Sequence, residues 1–214
     1  MSERPISFGA SMMLALLASK KNHTRRTKSI PQEATDWEFN ADQGRWRFYF
    51  NNDLKPKYIT CPYGVVGSRL WVKEMYAAPL DADAYKPSKL LAGDPIYYFA
   101  DESIRHKTRQ GVRLGKMRPA MFMPRALSRV LLEVESVECV RLQSITALQA
   151  VNEGIDGSGA GLWRDYSGHT QGFADPRLSF ASLWDSINGS KTGMTWADNP
   201  LVWDIGFKVL EVKR

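Results

Sequence analysis

The sequence predicts an α+β fold: a small mixed β-barrel flanked by short helices, with two inserted loops. Three observations lead there. Apolar and polar residues alternate over 129–140 and 201–212, the mark of long strands. Short helical patterns at 12–17, 145–153 and 178–187 separate the strands without a regular strand–helix–strand rhythm. Two stretches, about 77–118 and 156–176, are dense in turn residues and read as insertions in a single domain spanning 1–214.

The N-terminal residues 6–8 are extended in character, and Ser11 is placed to cap the helix behind it. Met12, Met13, Leu14, Leu16 and Leu17 make that helix apolar on most sides, as a buried short helix requires. Residues 20–28 then carry five cations in nine positions and no acid. Following a packed helix, this run presents Lys21, Thr24 and Arg26 together, and a helical turn puts Lys21 and Thr24 on one face. From Trp37 to Phe50 aromatic residues interleave with charges at the period of a half-exposed strand. Turn residues at 61–64 and 67–68 precede a strand at 69–74.

The first insertion holds Pro79, Pro87 and Gly93-Asp94-Pro95, then a second basic tract from His106 to Arg118, suited to non-specific contact with a phosphate backbone. Val130, Leu132 and Val134 mark a central strand. Ser144 starts a helix that Gly154 closes. Within the second insertion, Trp163, Tyr166 and Phe173 are candidates for stacking on a base, Trp163 and Tyr166 foremost. Phe180, Leu183, Trp184 and Ile187 recur at helical spacing, Asn188-Gly189 stops them, and Asn199-Pro200 introduces the last strand. Trp71, Trp184 and Trp203 lie in patterned segments and are assigned to the core.

Composition narrows the function. The chain has 214 residues, 43% hydrophobic and 24% charged, which suits a globular protein with a real core. No apolar run approaches the ~20 residues of a membrane span, and the N-terminus lacks a signal-peptide pattern, so a cytoplasmic protein is expected. Cys61 and Cys139 have no CxxC spacing, and His23, His106 and His169 are scattered. A disulfide framework, a metal site and a cofactor are therefore not expected. A net charge of +6 favours an anionic partner such as RNA or DNA. Arg69, Lys73, Arg125 and Arg129 alternate on strand-like segments and are candidates, with Lys20, Arg25 and Arg26, to line a binding groove.

Several segments together resemble the ASCH family of the PUA-like superfamily of small β-barrels, and more closely its larger phage and prophage members. They are Arg4-Pro5-Ile6-Ser7-Phe8, the basic signature from Ala18 to Arg26, Cys61-Pro62-Tyr63-Gly64 leading into the strand from Gly67 to Glu74, and Met123-Pro124-Arg125 with Ser128-Arg129. The block from Arg141 to Gly154, Leu183-Trp184-Asp185-Ser186-Ile187-Asn188 and Asn199-Pro200-Leu201-Val202-Trp203 complete the set. Ser19 stands where the family usually has glycine, Asn22 where it often has threonine, and Phe122 where the phage-type proteins often have histidine.

The resemblance implies an RNA- or nucleoside-binding protein of a bacterial host, phage or prophage encoded. Small members are amidohydrolases that deacetylate 4-acetylcytidine, and their working lysine, threonine and glutamate fall on Lys21, Thr24 and Glu153. The chemistry needs those types. A threonine hydroxyl is a poor nucleophile unless a base takes its proton, and a lysine serves only with a depressed pKa, which burial and the Arg25 and Arg26 charges favour. Glu153 then accepts or shuttles a proton. Two other readings stay open: a non-catalytic RNA- or DNA-binding module, and a metal-independent ribonuclease using His23 beside Thr24.

Overall fold

The computed structural model describes residues 3–51, 53–105, 113–159 and 161–213. In chain order its strands are β1 (Glu3–Ser7), β2 (His23–Arg26), β3 (Asp36–Asn40), β4 (Arg45–Phe50), β5 (Asp53–Ile59), β6 (Arg69–Lys73) and β7 (Tyr76–Pro79). There follow β8 (Ile96–Tyr98), β9 (Ser103–Arg105), β10 (Leu114–Arg118), β11 (Val130–Arg141), β12 (Gly157–Gly159), β13 (Leu162–Trp163) and β14 (Leu201–Val212). The helices are α1 (Ala10–Leu17), α2 (Ala147–Asn152) and α3 (Pro176–Asn188). The class is α+β, dominated by strands. The expected closed barrel is absent among the described residues, where no sheet's first strand pairs with its last. No described helix is long and apolar enough to cross a membrane.

The chain forms two compact units. One comprises Met1–Ser19, Ser68–Glu133 and Lys208–Arg214; the other comprises Lys20–Gly67 and Val134–Phe207. In the first, β1 runs parallel to β6 with Ile6 opposite Val72, and β6 pairs antiparallel with the start of β11. The stretch expected as an inserted loop at 77–118 contains four short strand segments among its described residues. β10, β7, β8 and β9 form an antiparallel ladder in that order. Tyr76, Ala78, Leu90, Ile96, Tyr98, Met123 and Leu127 give it a core of its own. That core explains the result: Ile96 and Tyr98 alternate inward from a segment whose prolines and glycine mark only its turns. Of the basic tract, residues 106–112 lie outside the described ones, and Arg118 is buried against the Ala82 carbonyl. Helix α1 takes Gly9 as its N-cap, so Ser11 lies inside the helix and caps nothing. Trp71 is half-buried rather than core, its face shared with Lys73.

In the second unit β2 pairs antiparallel with β14, setting Arg25 opposite Asp204 and Thr24 opposite Ile205. The aromatic stretch expected as one strand is a hairpin, β3 and β4 turning at 41–44, with β5 added. Gly44, at φ 59°, takes the left-handed backbone that such a turn requires. Phe48 and Trp46 pack edge-on against the fully buried Trp203. Helix α2 starts later than Ser144: Thr146 is its N-cap and makes a reciprocal capping box with Gln149, while residues 142–144 form a separate 3-10 turn. Gly154, at φ 84°, ends the helix as expected. Helix α3 begins at Pro176 behind an Asp175 cap. The second insertion is partly regular. β12 pairs with β13, and the buried Asp165 carboxylate accepts bonds from Ser167, His169 and Thr170.

A candidate site around a buried charge cluster

Residues 23–26 form a strand, so the helical face expected for Lys21 and Thr24 does not exist. Lys21 instead folds back just before β2. Its Nζ donates to the His23 carbonyl at 2.7 Å, the Glu153 carbonyl at 2.6 Å and Glu153 Oε2 at 2.8 Å. The ammonium is 2% exposed and all three of its donors are accepted. Burial pushes the Lys21 pKa below the ordinary lysine range. Glu153 opposes that shift through its charge and hydrogen bond, while Arg26 and Arg25 add to it.

Glu153 is placed by the end of α2, where it is the C-cap and is buried. A carboxylate there faces the negative end of the helix dipole, an unfavourable position. Lys21 compensates by bonding the same residue's carbonyl and carboxylate. Arg25 adds a second cation. Its Nη2 donates to Asp204 Oδ2 at 2.5 Å, and its Nη1 lies 3.9 Å from Glu153 Oε1, an ion pair too long for a hydrogen bond. Gln149, one turn before Glu153, donates to Asp204 Oδ2 at 3.4 Å, and the Phe180 ring faces the Arg25 guanidinium at 6.0 Å. Burial raises the Asp204 pKa, Arg25 opposes, and the Glu153 charge adds to the rise.

Lys21, Arg25, Glu153 and Asp204 thus form a buried group of two cations and two anions with formal charge zero. The group is under-bonded. Arg25 Nε and Nη1, Glu153 Oε1 and Asp204 Oδ1 are buried without a hydrogen-bond partner among the described residues, and so is Thr24 Oγ1. Each such atom carries a desolvation cost of about 1–3 kcal/mol, and their concentration on adjacent residues calls for a functional reason.

Of the sequence candidates, Lys21 and Glu153 meet directly. Thr24 is fully buried, and its hydroxyl bonds neither of them. Lys21 Nζ nevertheless rests on the His23 carbonyl, the peptide that leads into Thr24. Arg25 belongs to the cluster rather than to a surface. Arg26 is half-buried and donates to the Arg25 carbonyl; burial pushes the nearby Tyr63 phenol up, and the Arg26 charge opposes that rise. Lys20 is exposed, and His23 bonds the Asn22 side chain. Trp163 is half-buried and its backbone is bridged to Phe173. The Tyr166 hydroxyl accepts from the Asp156 amide with Arg164 over its ring, so neither aromatic is a bare platform.

The four groove candidates lie in the first unit. Arg129 is 5% exposed, and all five of its N–H groups go to Glu74, Asp101 and Ser103. It is a buried anchor with no donor left for a ligand. Arg125 bonds Glu3 at 2.5 Å, Lys73 donates to the Met121 carbonyl, and Arg69 is half-buried. Asp204 and Gln149 were missed by sequence reasoning. The available signal for Asp204 was its place as a lone acid inside the apolar strand pattern 201–207, where a buried carboxylate demands a cationic partner. No group of histidine, cysteine and acidic side chains able to hold a metal occurs among the described residues. Comparison with protein-family models, with curated proteins and with solved structures finds no match.

Proposed function

We propose that the chain binds RNA or a nucleoside and hydrolyses an amide on a modified cytidine, with Thr24 as nucleophile, Lys21 as base and Glu153 as proton shuttle. The observation that carries this reading is the buried Lys21–Glu153 pair set against the peptide of Thr24, whose hydroxyl has no partner among the described residues. The ASCH-type, PUA-like character of the sequence motifs supports it, and with it a cytoplasmic protein of phage or prophage origin.

The proton inventory closes. Transfer of one proton from Lys21 Nζ to the Glu153 carboxylate leaves a neutral amine beside a neutral acid, the state that burial favours. The amine takes the Thr24 hydroxyl proton as Oγ1 bonds to the acyl carbon and the carbonyl electron pair moves to oxygen. Arg25 Nη1 is an available donor for that oxyanion. Collapse breaks the bond to the exocyclic nitrogen, which leaves with the Glu153 proton. Water then attacks the Thr24 ester and gives Glu153 a proton. The expelled threonine oxygen recovers its own from Lys21. A final transfer from Glu153 to Lys21 restores the resting pair.

The test is release of cytidine from 4-acetylcytidine, free and within RNA, followed by chromatography. Wild type turns over, and Lys21→Met and Glu153→Gln each lose at least about 100-fold. Absence of product from wild type, or undiminished turnover by either variant, overturns the reading. A second reading has one observation in its favour: three acceptors already saturate the Lys21 ammonium, as in a purely structural ion. It predicts salt-sensitive RNA binding with no product at all.

A further inference from the structure

We propose that the first unit holds a separate binding pocket for a small organic anion, one with an apolar body and a carboxylate or phosphate head. The pocket has a volume of about 510 Å³, within the range of small-molecule sites and larger than a bare inorganic anion needs. Leu17, Ile104 and Val212 supply apolar lining, and Arg105, Arg129 and Lys213 supply the cations.

Only part of that charge is available. Arg129 is spent on Glu74, Asp101 and Ser103. Tyr98 is committed too: its hydroxyl donates to the Leu127 carbonyl, and the Arg129 guanidinium stacks at 4.1 Å from its ring. Arg105 is different. It is 6% exposed, its one described hydrogen bond runs to the Ala126 carbonyl at 3.4 Å, and its Nε is buried without a partner among the described residues. Arg105 makes no ion pair among the described residues, and a buried guanidinium in that state is costly to keep unless an anion completes it. Lys213, exposed at the rim, reaches Glu211 only at 3.6 Å and can turn to a second oxygen of the ligand.

A second feature marks the same wall. Glu102, in the tight turn between β8 and β9, sits at φ 56°, a left-handed backbone region disfavoured for a non-glycine residue. Asp101, beside it, is fixed by Arg129 and Ser103, so the turn is held in this shape, and Arg105 lines the pocket together with Leu17, Ile104 and Val212. Two acids, Asp101 and Glu102, also line the pocket. Asp101 is held by Arg129 and Ser103, so Arg105 and Lys213 are the cations left to receive an anionic head. The apolar lining suits a ligand with a hydrophobic body.

Titration calorimetry on the full chain tests this with three probes that share one ring: phenyl phosphate, benzoate and benzyl alcohol. At least one anion is expected to bind saturably, at least tenfold more tightly than the neutral alcohol, and the better anion identifies the head group. Arg105→Gln weakens that anion about tenfold, and Arg105→Lys recovers part of the loss. Lys213→Gln, at an exposed position that leaves the fold intact, weakens it severalfold and decides the matter should Arg105→Gln not fold. Equal binding of alcohol and anions, no saturable binding of either anion, or affinity unchanged in Lys213→Gln and in folded Arg105→Gln overturns the proposal.

Discussion

Replacing Glu153 by glutamine removes one of two negative charges from a buried group that otherwise sums to zero. Lys21, 2% exposed, keeps its two carbonyl acceptors and can still donate to the amide oxygen, so hydrogen bonding is largely preserved. The loss is electrostatic. Breaking a buried pair by removing one partner costs about 3–5 kcal/mol, and the retained hydrogen bonds put Glu153→Gln near the lower end, about 3 kcal/mol. Urea denaturation at neutral pH measures it. The deficit should shrink with alkalinity. Burial already holds the folded Lys21 pKa below its unfolded value, and removing the carboxylate lowers it further. Between the folded and unfolded values the unfolded chain holds a proton that the folded chain has lost, so stability rises with pH, by up to about 1.4 kcal/mol per pH unit. Adding Lys21→Met removes the stranded charge and should restore much of the loss. A Glu153→Gln cost under about 1 kcal/mol, or strict additivity of the two substitutions, would refute the account of this pair.

Further outcomes follow from other residues. Ser19 adopts φ 57° where glycine is at ease, so Ser19→Gly should raise the urea midpoint by about 1 kcal/mol of stability. Arg129→Lys should cost about 2–4 kcal/mol in the same assay, because one ammonium cannot replace five N–H bonds and burial already strains the Glu74 carboxylate upward. Burial pushes the Cys139 thiol up to about 12. A thiol reagent at pH 8 should therefore leave Cys139 unmodified until the chain unfolds, and stability should fall as pH climbs past the unfolded thiol value of about 9.

Elements with a clean period were legible in the sequence. The long strands β11 and β14, helix α3 and the stop at Gly154 came through because one apolar face repeats at 2 or 3.6 residues. What failed was long-range. Nothing local says that residues 77–118 carry their own core, because Tyr98, Met123 and Leu127 meet only after the β8 and β9 turns close. The basic run 20–28 looked like a charged surface, yet Lys21 and Arg25 are inside, since their partners Glu153 and Asp204 lie 132 and 179 residues away. Charge sign was readable there; burial was not. Arg129 failed for the same reason, its acids arriving from β6's end and the β8–β9 turn. Ser19 shows the opposite case: the departure from glycine leaves the left-handed bend in place, at a conformational cost.

Thr24→Val separates a catalytic hydroxyl from a structural one. The two side chains nearly match in volume, and the hydroxyl being removed is buried and has no partner among the described residues. On structural grounds alone the substitution relieves a desolvation cost of about 1–3 kcal/mol. The valine variant should therefore be at least as stable as wild type by urea denaturation and release no cytidine from 4-acetylcytidine. A valine variant that turns the substrate over at the wild-type rate would contradict a catalytic Thr24.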